Sequence, residues 1–460
     1  MKAQEKVAGG ENKIVTGNIF GQLLLFYFPI LFGTFFQQLY NTADAMVVGH
    51  FVGKEALAAV GGSTSTLTNL LVGFFVGLSS GATVVISQYY GGRKEDKVRW
   101  AVHTSVAFSL IAGVVMTIVG VIGARPALRA MGTPDDVMEH AMVYLQIYFV
   151  GMVPNLLYNM GAGILRAVGD SKRPLLFLIV SCMVNIVLDL FLVVVVKMGV
   201  AGAAIATIIS QLISAILVLI CLLRTKDIYR MRWSELRIDR RMLGRIVRIG
   251  LPAGFQSVMY NISNIIIQTG VNSLGTDNVT AWAAYGKVDG IFWMMVNALG
   301  ITTTTFIGQN FGAGRLDRVR KGIRSSLIVG VVLVTVVGTA LYNGGPFLIT
   351  LFTDDETVRG ICLSLIHFMV PTFITYICIE VFSGALRGVG DTVVPLAITG
   401  IGVCAVRVIW ILVALPIRPH ILTAAASYPM TWTISSIAFV IYYLFFSPLK
   451  RWNAKKWFRR

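Results

Sequence analysis

The sequence predicts an all-α membrane protein of twelve transmembrane helices, arranged in two six-helix lobes related by a pseudo-twofold axis along the membrane normal. Three observations predict it. Of the 460 residues, 56% are hydrophobic and only 13% are charged, which is more apolar than a soluble domain. Apolar runs of about 20 residues recur along the chain, each long enough to cross a hydrocarbon core about 30 Å thick as a helix. The stretch LRAVGDSKRPL at 165–175 returns 221 positions later as LRGVGDTVVPL at 386–396.

The runs cover 20–48, 57–87, 101–123, 138–163, 174–196 and 200–223 in the first half, then 244–272, 279–308, 322–344, 358–384, 394–416 and 421–446 in the second. Backbone groups in lipid need internal partners, and runs this continuously apolar do not alternate as barrel strands do, so each reads as a helix. The opening stretch lacks the apolar core and small-residue cleavage site of a signal peptide, so the first helix is expected to direct insertion.

A net charge of +17 raises the question of nucleic acid. Its placement answers no. Lys and Arg gather in alternate connections: GGRKEDKVR after helix 2, RAVGDSKR after helix 4, RTKDIYRMRWSELRIDRRMLGR after helix 6, GRLDRVRKGIR after helix 8 and the tail KRWNAKKWFRR, whereas FTDDE after helix 9 is acidic. By the positive-inside rule both termini are expected in the cytoplasm, with the chain polytopic in the plasma (inner) membrane. The expected order is a cytoplasmic tail 1–19, an N-lobe 20–223, a basic linker 224–243, a C-lobe 244–446 and a basic tail 447–460.

The five cysteines, Cys182, Cys221, Cys362, Cys378 and Cys404, lie within or at the ends of apolar runs with no metal-ligand spacing, as packing residues do. No Walker A loop, GxGxxG turn after a strand, HExxH or GxSxG occurs, so no catalytic residue is assigned and an enzyme is not expected. No cofactor is expected either.

The repeat extends along the chain. ISQYYGGRKEDKVR (86–99) returns as IGQNFGAGRLDRVR (307–320), keeping Gln88 with Gln309, Gly91 with Gly312 and Asp96 with Asp317. Pro29 and Pro252 open the first helix of each half, and Asn41 and Asn264 each sit 12 residues beyond their proline. Six helices is an even number, so both units insert the same way up. Within the repeated turn, Arg166 or Arg387 suits a helix C-terminus, Gly169 or Gly390 permits a tight turn, Asp170 or Asp391 can cap the next helix, and Pro174 or Pro395 fits its first turn. This is a helix-turn-helix connector used once per lobe, and fixing helix packing is enough to explain it.

Two six-helix lobes, the twin LRxxGD turns, the twin GQxxGA-like turns and NTADAMVVG (41–49) together resemble the multidrug and toxic compound extrusion (MATE) family over residues 15–445. The resemblance implies a cation-coupled antiporter that alternates between outward-open and inward-open states around a V-shaped cleft. It exports amphipathic, often cationic organic compounds in exchange for sodium or protons. Small amphipathic organic substrates and membrane lipid are the expected partners, nucleic acid is not, and the chain is expected to act as a monomer.

Ionisable residues at bilayer depth are expensive, so each is a functional candidate. Gln37, Asn41 and Asp44 share one face of helix 1; Asn185 and Asp189 lie one turn apart in helix 5, as do Thr207 and Gln211 in helix 6. Carboxylates, an amide and hydroxyls are hard oxygen ligands for sodium or acceptors for a proton. The resemblance implies a cation site made of Asp44, Asn185, Asp189 and Thr207, with Pro29 bending helix 1 above Asp44 and Gln37 and Tyr40 between them. A branch of the family with acids in helices 7 and 10 would place them near Tyr260 and Tyr376. Both are tyrosine here, which favours the N-lobe site.

The C-lobe carries Lys287 and Asp289 in helix 8, Glu380 in helix 10 and Arg407 in helix 11. Either these pair with one another, or Asp289 or Glu380 attracts a cationic substrate beside Tyr285, Phe292, Trp293, Met294 and Met295. A flippase for a lipid-linked sugar is the rival transporter, but it needs a strongly cationic cleft. A membrane enzyme or non-transporting receptor needs a catalytic constellation or sensor domain that the sequence does not display.

Overall fold

In a computed structural model the chain is described at residues 12–447 apart from 351, 352 and 354. The basic tail from 448 onward, most of the N-terminal tail and part of the acidic FTDDE loop lie outside the described residues. Among the described residues the regular structure is entirely helical.

The twelve long helices are α1 Ile19–Phe51, α2 Glu55–Gly91, α3 Glu95–Ala130, α4 Asp135–Val150 with Met152–Ala167, α5 Lys172–Val195 and α6 Gly199–Arg224. They continue as α7 Arg240–Asn272, α8 Thr276–Gly312, α9 Leu316–Thr350, α10 Glu356–Val389, α11 Val393–Ile417 and α12 Ile421–Phe446. Ten of these are long and apolar enough to span a membrane, and the two halves of α4, bent by 52° at Gly151, make an eleventh span. The sequence reading gave α7 the same standing; its 33 residues suffice in length, but Arg240, Arg241, Arg245 and Arg248 followed by Gln256, Asn261, Asn264 and Gln268 make it the most polar of the set.

Helix ends follow their residues. Asn18 Oδ1 accepts from Gly21 N at 3.0 Å to start α1, and Asp239 Oδ1 accepts from Met242 N at 2.7 Å to start α7. The twin connectors behave as their sequences require: Gly169 and Gly390 adopt φ of 96° and 91°, the left-handed region that favours glycine, and Asp170 Oδ1 caps Arg173 N at 3.1 Å. Asp391 Oδ1 stands 3.4 Å from Val394 N in the second copy.

The first helix of each half crosses between lobes. Leu23, Phe26, Tyr27 and Ile30 of α1 join the apolar core of the second lobe, while Met242, Ile246 and Ile249 of α7 join that of the first. At the end carrying the basic connections the lobes meet backbone to backbone along α2. A Cβ on Gly81 would lie 2.3 Å from the Ile246 carbonyl oxygen, one on Gly91 2.0 Å from that of Gln309, and one on Gly312 1.8 Å from that of Gln88. Every residue from 81 to 89 and from 302 to 312 is buried, but none from 65 to 77 is. The close approach of main chains runs on to Gly77, where a Cβ would lie 2.6 Å from the backbone of Gly254, and the lobes are joined more loosely beyond it.

Candidate functional site

Asp44 of α1 is 5% exposed, Thr207 of α6 3%, and Asn185 and Asp189 of α5 are fully buried. The Thr207 hydroxyl lies 3.1 Å from Asp44 Oδ2 and 3.0 Å from the Ala203 carbonyl oxygen. Asp189 and Asn185 approach the same carboxyl group, yet neither makes a hydrogen bond of ordinary geometry to it. Asp44 Oδ1, both carboxyl oxygens of Asp189 and the whole Asn185 amide are buried without a hydrogen-bond partner among the described residues. Buried polar atoms are seldom left so, and here they belong to one hard-oxygen donor set that suits a small cation or a proton.

The local helix geometry serves this grouping. Asp189 ends the regular α-helical part of α5, and Leu190–Val195 continues as π-helix, a wide turn that recurs at functional sites. Tyr40 of α1 lies among Gln37, Gln211 and Tyr148. Tyr144 of α4 lies beside Asp44, Asp189 and Tyr40, and its ring stacks on Tyr148 at 6.2 Å. The structure thus brings Asp44, Asn185, Asp189, Thr207, Tyr40, Gln37 and Gln211 together. Asn41 is exposed, one turn from Asp44, and Pro29 lies about 22 Å away along α1. Sequence reading missed Tyr144 and Tyr148; their i, i+4 spacing in an otherwise apolar run was the available signal.

The C-lobe charges do not form the single cluster that was one expectation. Glu380 pairs with Arg387 at 3.5 Å and receives the Tyr376 hydroxyl at 3.5 Å. Its carboxyl rests on Gly300, where a Cβ would fall 1.7 Å from Oε1. Arg407, 1% exposed, donates to Thr431 Oγ1 at 3.2 Å and stacks over Tyr428 at 4.1 Å. Among the described residues its direct contacts are thus a hydroxyl and a ring, and its charge also acts on Asp289, while Arg387, read from sequence only as a helix-end cation, takes Glu380. Lys287 is exposed. Asp289, half-buried, accepts from Trp293 Nε1 at 2.7 Å and from the Tyr285 hydroxyl at 3.2 Å. Around it Phe292, Trp293, Tyr376 and Trp432 form a continuous aromatic wall, with Trp293 and Tyr376 rings 5.0 Å apart and Tyr376 and Trp432 5.5 Å apart. Tyr260, at the other position where a family branch carries an acid, has a buried hydroxyl without a partner among the described residues.

The family model described as MatE matches the chain twice, at residues 29–191 and at 252–413, once in each lobe. The chain belongs to the MATE family. Among its relatives, the probable multidrug resistance protein YoeA of Bacillus subtilis (strain 168) is 28% identical, covering 93% of this chain and 94% of that protein. YpnP of the same organism, also a probable multidrug resistance protein, is 30% identical over 74% of this chain and 76% of its own. A solved structure described as the outward-facing conformation of a multidrug resistance MATE family transporter superposes with a TM-score of 0.90, at 21% identity, over 97% of this chain and 100% of that one. This MATE chain is thus a polytopic membrane protein of a transporter family, with the all-helical architecture that its sequence predicts.

Proposed function

We propose that this protein is a cation-coupled antiporter that exports amphipathic, often cationic organic compounds by alternating access. The observation that carries the proposal is the convergence of Asp44, Asn185, Asp189 and Thr207 from three helices into one buried oxygen cluster. Two buried carboxylates side by side repel each other unless a proton or a metal cation is shared between them. Loading and unloading that cation changes the net charge held between α1, α5 and α6, so these helices pack differently in the two states. The driving force is adequate: one charge crossing 100 mV supplies about 2.3 kcal/mol.

In this reading Asp289 and the half-buried Trp293 receive the substrate's cationic group, through charge and through the face of the indole ring, with Tyr285 holding the carboxylate from behind. The basic end lies in the cytoplasm, as do both termini, so the tight junction of the lobes is the inner gate and the cleft opens outward. The protein works as a single chain in the plasma membrane, surrounded by lipid, and needs no chemical step. Proteoliposomes with separately imposed pH and sodium gradients test the proposal. Uphill movement of a lipophilic cation such as ethidium under one gradient supports it and names the ion; no uphill movement under either gradient overturns it.

A further inference from the structure

The side chains of Gln88 and Gln309, equivalent residues of the two repeats, reach across between lobes to equivalent backbone atoms. Gln88 Nε2 donates to the Gly388 carbonyl oxygen at 2.9 Å, and Gln309 Nε2 donates to that of Ala167 at 2.7 Å. Donors and acceptors are both 221 positions apart. Each acceptor stands at the C-terminal end of α10 or α4, inside the LRxxGD connector, where helical carbonyls run out of intrahelical partners. Each lobe therefore caps a helix of the other. Gln309 is fully buried and Gln88 9% exposed, so water does not compete for these bonds while the basic end is closed.

We infer that Gln88 and Gln309 are paired latches of the gate at the basic end, and that opening this end exchanges both bonds for bonds to water. The inference rests on the alternating-access reading above. It gives the repeated turn a role beyond packing, as the keeper for the opposite lobe's glutamine. Among the described residues only one latch is braced: Asn12 Nδ2 donates to Gln309 Oε1 at 3.0 Å, and the segment carrying Asn12 is tied to the second lobe by Arg318, which donates to the Ile14 and Gly17 carbonyls at 3.1 and 2.7 Å. A typical net hydrogen bond suits the task, being strong enough to bias the gate and weak enough to release within a transport cycle.

The test places spin labels at Lys172→Cys and Val393→Cys, exposed positions beside the two connectors, in full-length protein whose five native cysteines are replaced. Distances between labels report opening of the basic end directly. Gln88→Met and Gln309→Met keep side-chain length and remove the donor. Each is expected to raise the ratio of open to closed populations roughly five- to tenfold, and the double variant to raise it further than either single change. An unchanged distance distribution in a double variant that melts with the parent would overturn the inference. Should the double variant not fold, Asn12→Ala, which removes only the brace on Gln309, is expected to give a smaller shift in the same direction, and no shift there overturns the inference as well. No ion gradient or substrate enters the measurement, so failure of the antiport reading and failure of the latch would be told apart.

Discussion

Thr207 and Asp44, 163 positions apart in sequence, stand with hydroxyl and carboxylate oxygens 3.1 Å apart in a site closed to solvent. The hydroxyl fixes one carboxylate oxygen and leaves the other among polar atoms that lack hydrogen-bond partners among the described residues. Thr207→Val keeps the shape and removes that bond. Cation affinity, read from the ion concentration giving half-maximal efflux, is expected to fall about tenfold, as losing a hydrogen bond to a charged group would give, while the maximal rate changes less. An unaltered half-maximal concentration would exclude Thr207 from the coupling site.

Asp44→Asn and Asp189→Asn are each expected to abolish gradient-driven efflux while leaving the protein folded and substrate binding measurable by fluorescence titration. Either amide preserves volume and removes a negative charge that the proposed coupling requires. If both variants still concentrate substrate against a gradient, coupling resides elsewhere, and Asp289 becomes the next residue to neutralise.

Neutralising Asp289 has a different expected signature. Because its carboxylate is presented by Tyr285 and Trp293 at the edge of an aromatic wall, Asp289→Asn should weaken binding of monocationic substrates about tenfold, equivalent to about 1.4 kcal/mol. Neutral substrates of similar size should bind nearly as before. Equal losses for both classes would make Asp289 a packing residue.

Much of this was legible in the sequence, for reasons that differ by residue. Asp44, Asn185, Asp189 and Thr207 stood out because polar residues are rare in apolar runs. The Gly169 and Gly390 turns stood out because their chemistry is local and was written twice. The partner of Glu380 was hidden, since helix periodicity says nothing of which neighbouring helix supplies a cation, and Arg387 already had an adequate local reading. Tyr144 and Tyr148 were hidden because an amphipathic ring suits core and site alike. The π-helical turn after Asp189 has no composition signal; only packing against α6 reveals it.

Pro29→Ala is expected to leave folding intact or slightly improved, since α1 already runs through Pro29 as one helix and alanine restores the missing ladder bond. Efflux should slow if α1 must bend during the cycle. A variant with parent stability and parent rates would mean that the proline is incidental.

Topology is checked with cysteines at positions 232 and 355. In sealed right-side-out vesicles a membrane-impermeant thiol reagent should modify residue 355 and spare residue 232 until the membrane is opened, because position 232 lies in the basic linker and 355 in the acidic connection after α9. Equal reactivity at both would contradict the twelve-helix path.

The backbone-to-backbone junction of α2 with α7 and α8 also bears on how such a chain diversifies. Where a methyl group at Gly91 or Gly312 would collide with main chain, a substitution disturbs the joint itself and cannot be absorbed by repacking a neighbouring side chain. Residues 65–76, on the same helix, include none that is buried, and a Cβ at Gly73 would meet only the side chains of Ser257 and Asn261. Substitutions are therefore accommodated more readily in the loose half of α2 than in the joined half, so one helix holds both a part that cannot change without disturbing the joint and a part that can.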